Sequence, residues 1–213
     1  SNFQEAIKIT DRAMQYLPDN PMLYLYRGAA YAQMTQFDKA AASVIEGIEK
    51  VDKEDVEMLS ELYGQLGDIY HQSGNNNKAY EAYETALKHF GANVSVLNNY
   101  SYFLSLEKRD LDKAEEMILK AVKIEPKNST YLDTYGWVLF QKGEYVIAKV
   151  YLQNAVNNGA DKNPEVLEHL GDVLFMTDEK EEAVKMWQKA ASYGVPSETL
   201  KKKIETKQYI EGK

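Results

Sequence analysis

Residues 60–93 read SELYGQLGDIYHQSGNNNKAYEAYETALKHFGAN. Leu62, Leu66, Ile69 and Tyr70 recur at helical spacing and make one apolar stripe. Ser73-Gly74-Asn75-Asn76-Asn77 then supplies turn chemistry, with Gly74 placed to take the left-handed step that ends a helix. A second stripe follows in Ala79, Tyr83, Ala86 and Leu87. Two helices joined by so short a loop run antiparallel and pack closely. The small residues Gly67 and Ala79 let their backbones approach while large side chains interlock across the pair.

The same grammar recurs along the chain. Gly28, Tyr31, Ala40, Gly47 precede this stretch; Ser101, Leu104, Ala114, Ala121, then Gly136, Leu139, Ala148, Ala155, then Gly171, Leu174, Ala183, Ala190 follow it. Their first members, with Gly67, are offset by 39, 34, 35 and 35 residues. A period near 34 in this grammar predicts an all-α stack of helical hairpins, in which each unit touches mainly its neighbours. Turn chemistry reappears at Gly143 and, in polar form, at Thr35-Gln36, Arg109-Asp110 and Thr177-Asp178. Pro18, Pro126 and Pro196 fall where second helices should stop.

Composition narrows the function classes. The 213 residues carry 12 Gly and 5 Pro, with no stretch rich in both, so nothing reads as a linker or disordered tail. No apolar run reaches membrane-spanning length, and no basic-then-apolar leader opens the sequence. The absence of cysteine excludes disulfides, thiol catalysis and thiolate metal sites. A formal charge of −8 argues against nucleic acid as a partner, because that affinity rests on Lys and Arg neutralising phosphates.

These residues resemble the tetratricopeptide repeat (TPR) family over nearly the whole chain. Residues 60–93 match its pattern with Tyr63, Leu66-Gly67, Tyr70, Ala79, Tyr83 and Ala86; residues 164–196 match with Leu167, Leu170-Gly171, Leu174, Ala183, Trp187 and Ala190. Arg27 stands where Leu is expected, Ser101 replaces the glycine, and one extra residue precedes Ala114. An insertion near Asp55–Leu59 accounts for the 39-residue offset and is expected to lengthen a helix. The resemblance implies a right-handed TPR superhelix. It would comprise the second helix of a repeat at 1–20, repeats at 21–54, 55–93, 94–128, 129–163 and 164–196, and a capping helix at 197–213. In that final helix Ser197 caps the start, Leu200 and Ile204 face the array, and Lys201, Lys202, Lys203 and Lys207 solvate the rest.

Catalysis finds no support in the residues. His71, His89 and His169 are the only histidines, none in a catalytic signature, and the glycines form no phosphate-cradling loop. Glu165, His169 and Asp172 share one side of a helix at a spacing that could hold a divalent ion, but they read better as a charged helix face. No catalytic residue, metal or cofactor is assigned.

Binding is the stronger expectation. The resemblance places the concave face at fixed positions of each first helix, which here include Glu61, Asp68, His71, Asn98, Tyr102, Asp133, Trp137, Glu165, Glu168 and Asp172. Six of these are acidic and none is Lys or Arg, whereas the whole chain has 33 acidic to 25 basic residues. That asymmetry predicts a protein or peptide partner bearing basic and apolar residues, although acidic helix faces also serve simply to solvate. It also disfavours the family's carboxylate clamp, which needs basic groove residues. The expected function is a non-enzymatic interaction scaffold. Two alternatives are an arm of a larger enzyme and self-assembly through exposed array ends. Resemblance to bacterial TPR proteins suggests a periplasmic or outer-membrane-anchored location, with the cytoplasm as the alternative.

Overall fold

The computed structural model describes residues 2–211; Ser1, Gly212 and Lys213, at the ends of the first and last predicted segments, lie outside the described residues. Every regular element among the described residues is a helix. They form two compact units whose boundary falls inside α6, between Tyr100 and Ser101. No described helix is long and apolar enough to cross a membrane.

The first unit holds α1 (Asn2–Met14), α2 (Pro21–Gln33), α3 (Phe37–Ile48), α4 (Val56–Gln72), α5 (Asn76–His89) and the start of α6 (Val94–Leu106). Helix α4 has 17 residues where α2 has 13, and Asp55 caps it by accepting from the Met58 amide. At the next turn Gly74 takes φ +79°, the left-handed step expected of it. The core joins Ala40 and Val44 of α3 to Leu62, Leu66 and Ile69 of α4. Gly67 packs against the fully buried Tyr83 ring; a Cβ there would lie 2.4 Å from Tyr83 Cε1. The close approach is therefore of a backbone to an aromatic face. Arg27, the departure from pattern, has a physical account: Nε donates to Ser43 Oγ at 2.9 Å and the guanidinium reaches Glu46 at 2.6 Å. A polar network in the α2–α3 pair replaces an apolar contact.

The second unit holds the rest of α6, then α7 (Leu111–Ile124), α8 (Ser129–Gln141), α9 (Tyr145–Ala155), α10 (Pro164–Met176), α11 (Lys180–Ser192) and α12 (Glu198–Thr206). After α9 a π-turn over 156–160 ends the helix, with Gly159 at φ +110°. Lys108 and Asp110 both take positive φ, so the extra residue of this repeat is absorbed in the turn between α6 and α7. Ser101 fits where glycine was expected because its Oγ donates to the Ala114 carbonyl at 2.9 Å. Leu139, Leu152, Leu167, Leu170 and Trp187 are almost wholly buried. Ser197 caps α12 as expected, accepting from the Leu200 amide at 3.0 Å.

Candidate partner-binding site

In the first unit the candidate site centres on Asp68 of α4, which is half-buried. The Tyr83 hydroxyl donates to its carboxylate at 2.5 Å, and Asn99 Nδ2 donates at 3.0 and 3.3 Å. Burial pushes the Asp68 carboxyl above the usual carboxylate range, with these hydrogen bonds pulling the other way and the Glu61 carboxylate adding to the rise. Tyr83 is itself pushed far up, by burial and by Asp68. Beside Asp68 opens a cavity of about 240 Å³ whose walls include Glu61, Gln65, Asp68 and Asn99. Glu61 is exposed and His71 half-buried. Asn98 is buried; its amide donates to Asn99 Oδ1 at 3.1 Å while its own Oδ1 has no partner.

In the second unit the candidate residues are knitted into the fold. Asp133 is buried and pairs with His169 Nδ1 at 3.0 Å. The His169 ring stacks on Trp137 with centroids 4.0 Å apart, and Trp137 stacks on Phe140 at 4.8 Å. Burial alone would lower the His169 pKa, but the Asp133 carboxylate outweighs it and the group titrates above its usual value. Asp172, 2% exposed, accepts from Trp187 Nε1 at 2.9 Å and from Lys203 Nζ at 2.7 Å. Lys203, on α12, also reaches Glu168 at 2.8 Å. Its ammonium lies 5.4 Å from the Tyr209 ring centroid, and that ring packs on Phe140. Burial lifts the Asp172 carboxyl to about 6 even with Lys203 beside it. Tyr102 donates to the Glu165 carboxylate in a close hydrogen bond.

Trp137, placed on the concave face by the resemblance, is 9% exposed, covered by Phe140 and His169. Lys203 does not solvate the final helix; it is 2% exposed and neutralises two carboxylates of α10. Lys201, Lys202 and Lys207 remain on the outside as expected. The pairing of His169 with Asp133 and of Asp172 with Lys203 also turns those side chains toward protein partners, and no metal-competent cluster of His, Asp or Glu occurs among the described residues.

On its own helix Lys203 looks solvated and Tyr209 carries no motif, yet a signal for their roles exists. Asp68 and Asp172, Tyr83 and Trp187, Asn99 and Lys203 are each 104 residues apart. The carboxylate, its aromatic donor and its third partner recur in register. Helix α12 therefore stands where another first helix would stand, starting at Glu198 as α6 starts at Val94. Running the repeat one step further would have marked Lys203 as the partner of Asp172.

A family model for the tetratricopeptide repeat matches residues 60–88 and 94–128. The TPR repeat-containing protein PA4667 of Pseudomonas aeruginosa is 30% identical over 172 residues, covering 79% of this chain and 28% of that protein. Among solved structures, that of the APC/C hetero-tetramer Cut9–Hcn1 matches with a TM-score of 0.82 at 14% identity, over 96% of this chain and 39% of the other. The type IV pilus biogenesis factor PilW matches with a TM-score of 0.75 at 18% identity, over 88% and 85% of the two chains. With the repeat grammar and helix pairs described above, the chain is a tetratricopeptide-repeat protein. It spans less than a third of the length of the curated relatives it matches.

Proposed function

We propose that this chain is a non-enzymatic protein-interaction scaffold. In this reading the acidic first-helix face of the first unit, around Glu61 and Asp68, holds a partner segment bearing Lys or Arg beside apolar residues. The observation that carries this reading lies in the second unit, where Glu168 and Asp172 receive a lysine with an aromatic ring next to it. That contact is an intramolecular instance of the recognition proposed for the partner. Asp133, Trp137, Glu168 and Asp172 then serve the fold; Glu61, Asp68, His71 and Asn98 remain as candidate contact residues in the first unit, and Tyr102 and Glu165 in the second. The likeness to PilW, a type IV pilus biogenesis factor, supports a bacterial envelope location.

A photo-crosslinking amino acid placed at Glu61, compared with one at the exposed Val146 of α9, tests this reading in source cells. The expected result is a discrete adduct from Glu61 that weakens as salt rises, because exposed charges are screened beyond about 10 Å at 0.1 M. Adducts only from Val146, or a Glu61 adduct indifferent to salt, would overturn it.

A further inference from the structure

We propose that the cavity beside Asp68 is a pocket for a primary ammonium on an apolar stem, supplied by a lysine side chain of a partner protein. This rests on the scaffold reading above and adds the chemistry of one anchor point.

The pocket is acceptor-rich and contains no cation. Its walls bring the carboxylates of Glu61 and Asp68 together with Gln65, and Lys, Arg and His are absent from its lining. Gln65 Oε1 is buried with no hydrogen-bond partner. With two carboxylates in its walls, the cavity favours an occupant that donates hydrogen bonds and carries positive charge over an apolar one. Leu25 and Val96 form apolar wall beside these acceptors, suited to a methylene stem. The volume of about 240 Å³ far exceeds the space that one water requires.

The repeat-related site shows which cation the architecture accepts. At Asp172 the aromatic donor is Trp187 and the third partner is the Lys203 ammonium. At Asp68 the aromatic donor is Tyr83 and the third partner is the Asn99 amide, which donates hydrogen bonds but brings no charge. Both carboxylates are held from behind by an aromatic side chain of the second helix, and only one is neutralised within its own unit. An ammonium has three rotatable donors, enough to serve the carboxylates of both Asp68 and Glu61. A guanidinium presents a rigid planar fork that suits a single carboxylate edge-on, and a hard divalent ion asks for six or more oxygens.

The test uses n-butylammonium and its uncharged analogue n-butanol as probes, titrated into the whole chain and followed by NMR at the side-chain amide of Gln65, a wall residue that every variant keeps. Butylammonium should give a saturable shift, and butanol a response at least tenfold weaker. Glu61→Gln, an exposed change that leaves the fold alone, should weaken the ammonium about threefold, and Asp68→Asn at least tenfold. Asn99→Lys should abolish binding while circular dichroism stays helical, because the new ammonium would sit on Asp68 as Lys203 sits on Asp172. Equal responses to butylammonium and butanol, unchanged affinity in Glu61→Gln and Asp68→Asn, or a folded Asn99→Lys chain that still binds would each overturn the proposal. The titration needs no partner. Its failure beside a retained Glu61 crosslink would end the pocket alone, whereas a partner crosslinking only elsewhere would end the scaffold reading and leave the pocket measurable.

Discussion

Lys203→Met removes an ammonium and keeps a stem of similar length, leaving Asp172 at 2% exposure with Trp187 as its remaining donor. Removing one partner of a buried ion pair typically costs about 3–5 kcal/mol, whereas an exposed pair is worth about 0–1 kcal/mol. The 3% side-chain exposure of both Lys203 and Asp172 puts this pair in the first class. The cost should depend on pH, with a sign set by Asp172. Its carboxyl titrates at about 6, above its ordinary value, so its contribution is fully present below about pH 4 and lost as pH rises through the folded pKa. Lys203 is among the groups holding that pKa down, so deleting it pushes the folded pKa higher still. The deficit of the variant should therefore be small near pH 4.5, where Asp172 can be protonated, and approach its full size by pH 8. Urea unfolding followed by tryptophan emission reports the second unit selectively, since the chain's two tryptophans, Trp137 and Trp187, both lie in it. With m near 1–3 kcal/mol per molar, a loss of about 3 kcal/mol moves the midpoint by roughly 1–3 M. Adding Asp172→Asn should recover much of the loss, because the uncompensated charge is then gone. A deficit below about 1 kcal/mol at pH 8, or a double variant that is simply additive, would place Lys203 in solvent and refute the buried bridge.

Two further outcomes follow from packing and titration. Gly67→Ala should cost about 1–3 kcal/mol, since its Cβ meets a Tyr83 ring tethered to Asp68, whereas Ser101→Ala loses one hydrogen bond worth about 1 kcal/mol; urea melts giving the reverse order would refute the assigned contacts. His169 keeps its proton to higher pH folded than unfolded, so its contribution is full below about pH 6.5 and fades as pH rises through the folded value. Wild-type tryptophan-monitored stability should therefore show a fall across this window that His169→Gln lacks, and identical profiles would remove the charged His169–Asp133 pair.

The fold was legible where the signal is local or periodic. Gly67, Ala79 and Ala86 recur in register, Gly74 announces its own left-handed φ, and Ser197 is a cap readable from side-chain chemistry alone. The candidate site was legible only as positions. Helical spacing puts Trp137 on a face, but whether that face is covered depends on His169, 32 residues later in the chain, whose ring lies on it. Lys203 follows the same logic in reverse. On its own helix it continues a run of lysines that reads as a solvated surface, and its partners Glu168 and Asp172 are 35 and 31 residues away. Propensity and amphipathicity describe one helix at a time, and burial of a charge is settled by the neighbour that neutralises it.

That neighbour also explains why the acidic bias has different meanings in the two units. In the second unit Asp133 faces His169, and Glu168 and Asp172 share Lys203, so these concave-position carboxylates carry their own countercharges and do little beyond hold α8, α10 and α12 together. In the first unit Asp68 has only neutral donors and Glu61 stands exposed near it. A field persists where charge is uncompensated, and it is there that the proposed cationic partner would be drawn and oriented. The six acidic residues that looked equivalent in the sequence therefore divide by their partners. The fourth-repeat and fifth-repeat carboxylates are largely spent on structure, and the pair at Glu61 and Asp68 keeps the charge on which recognition of a basic segment would depend.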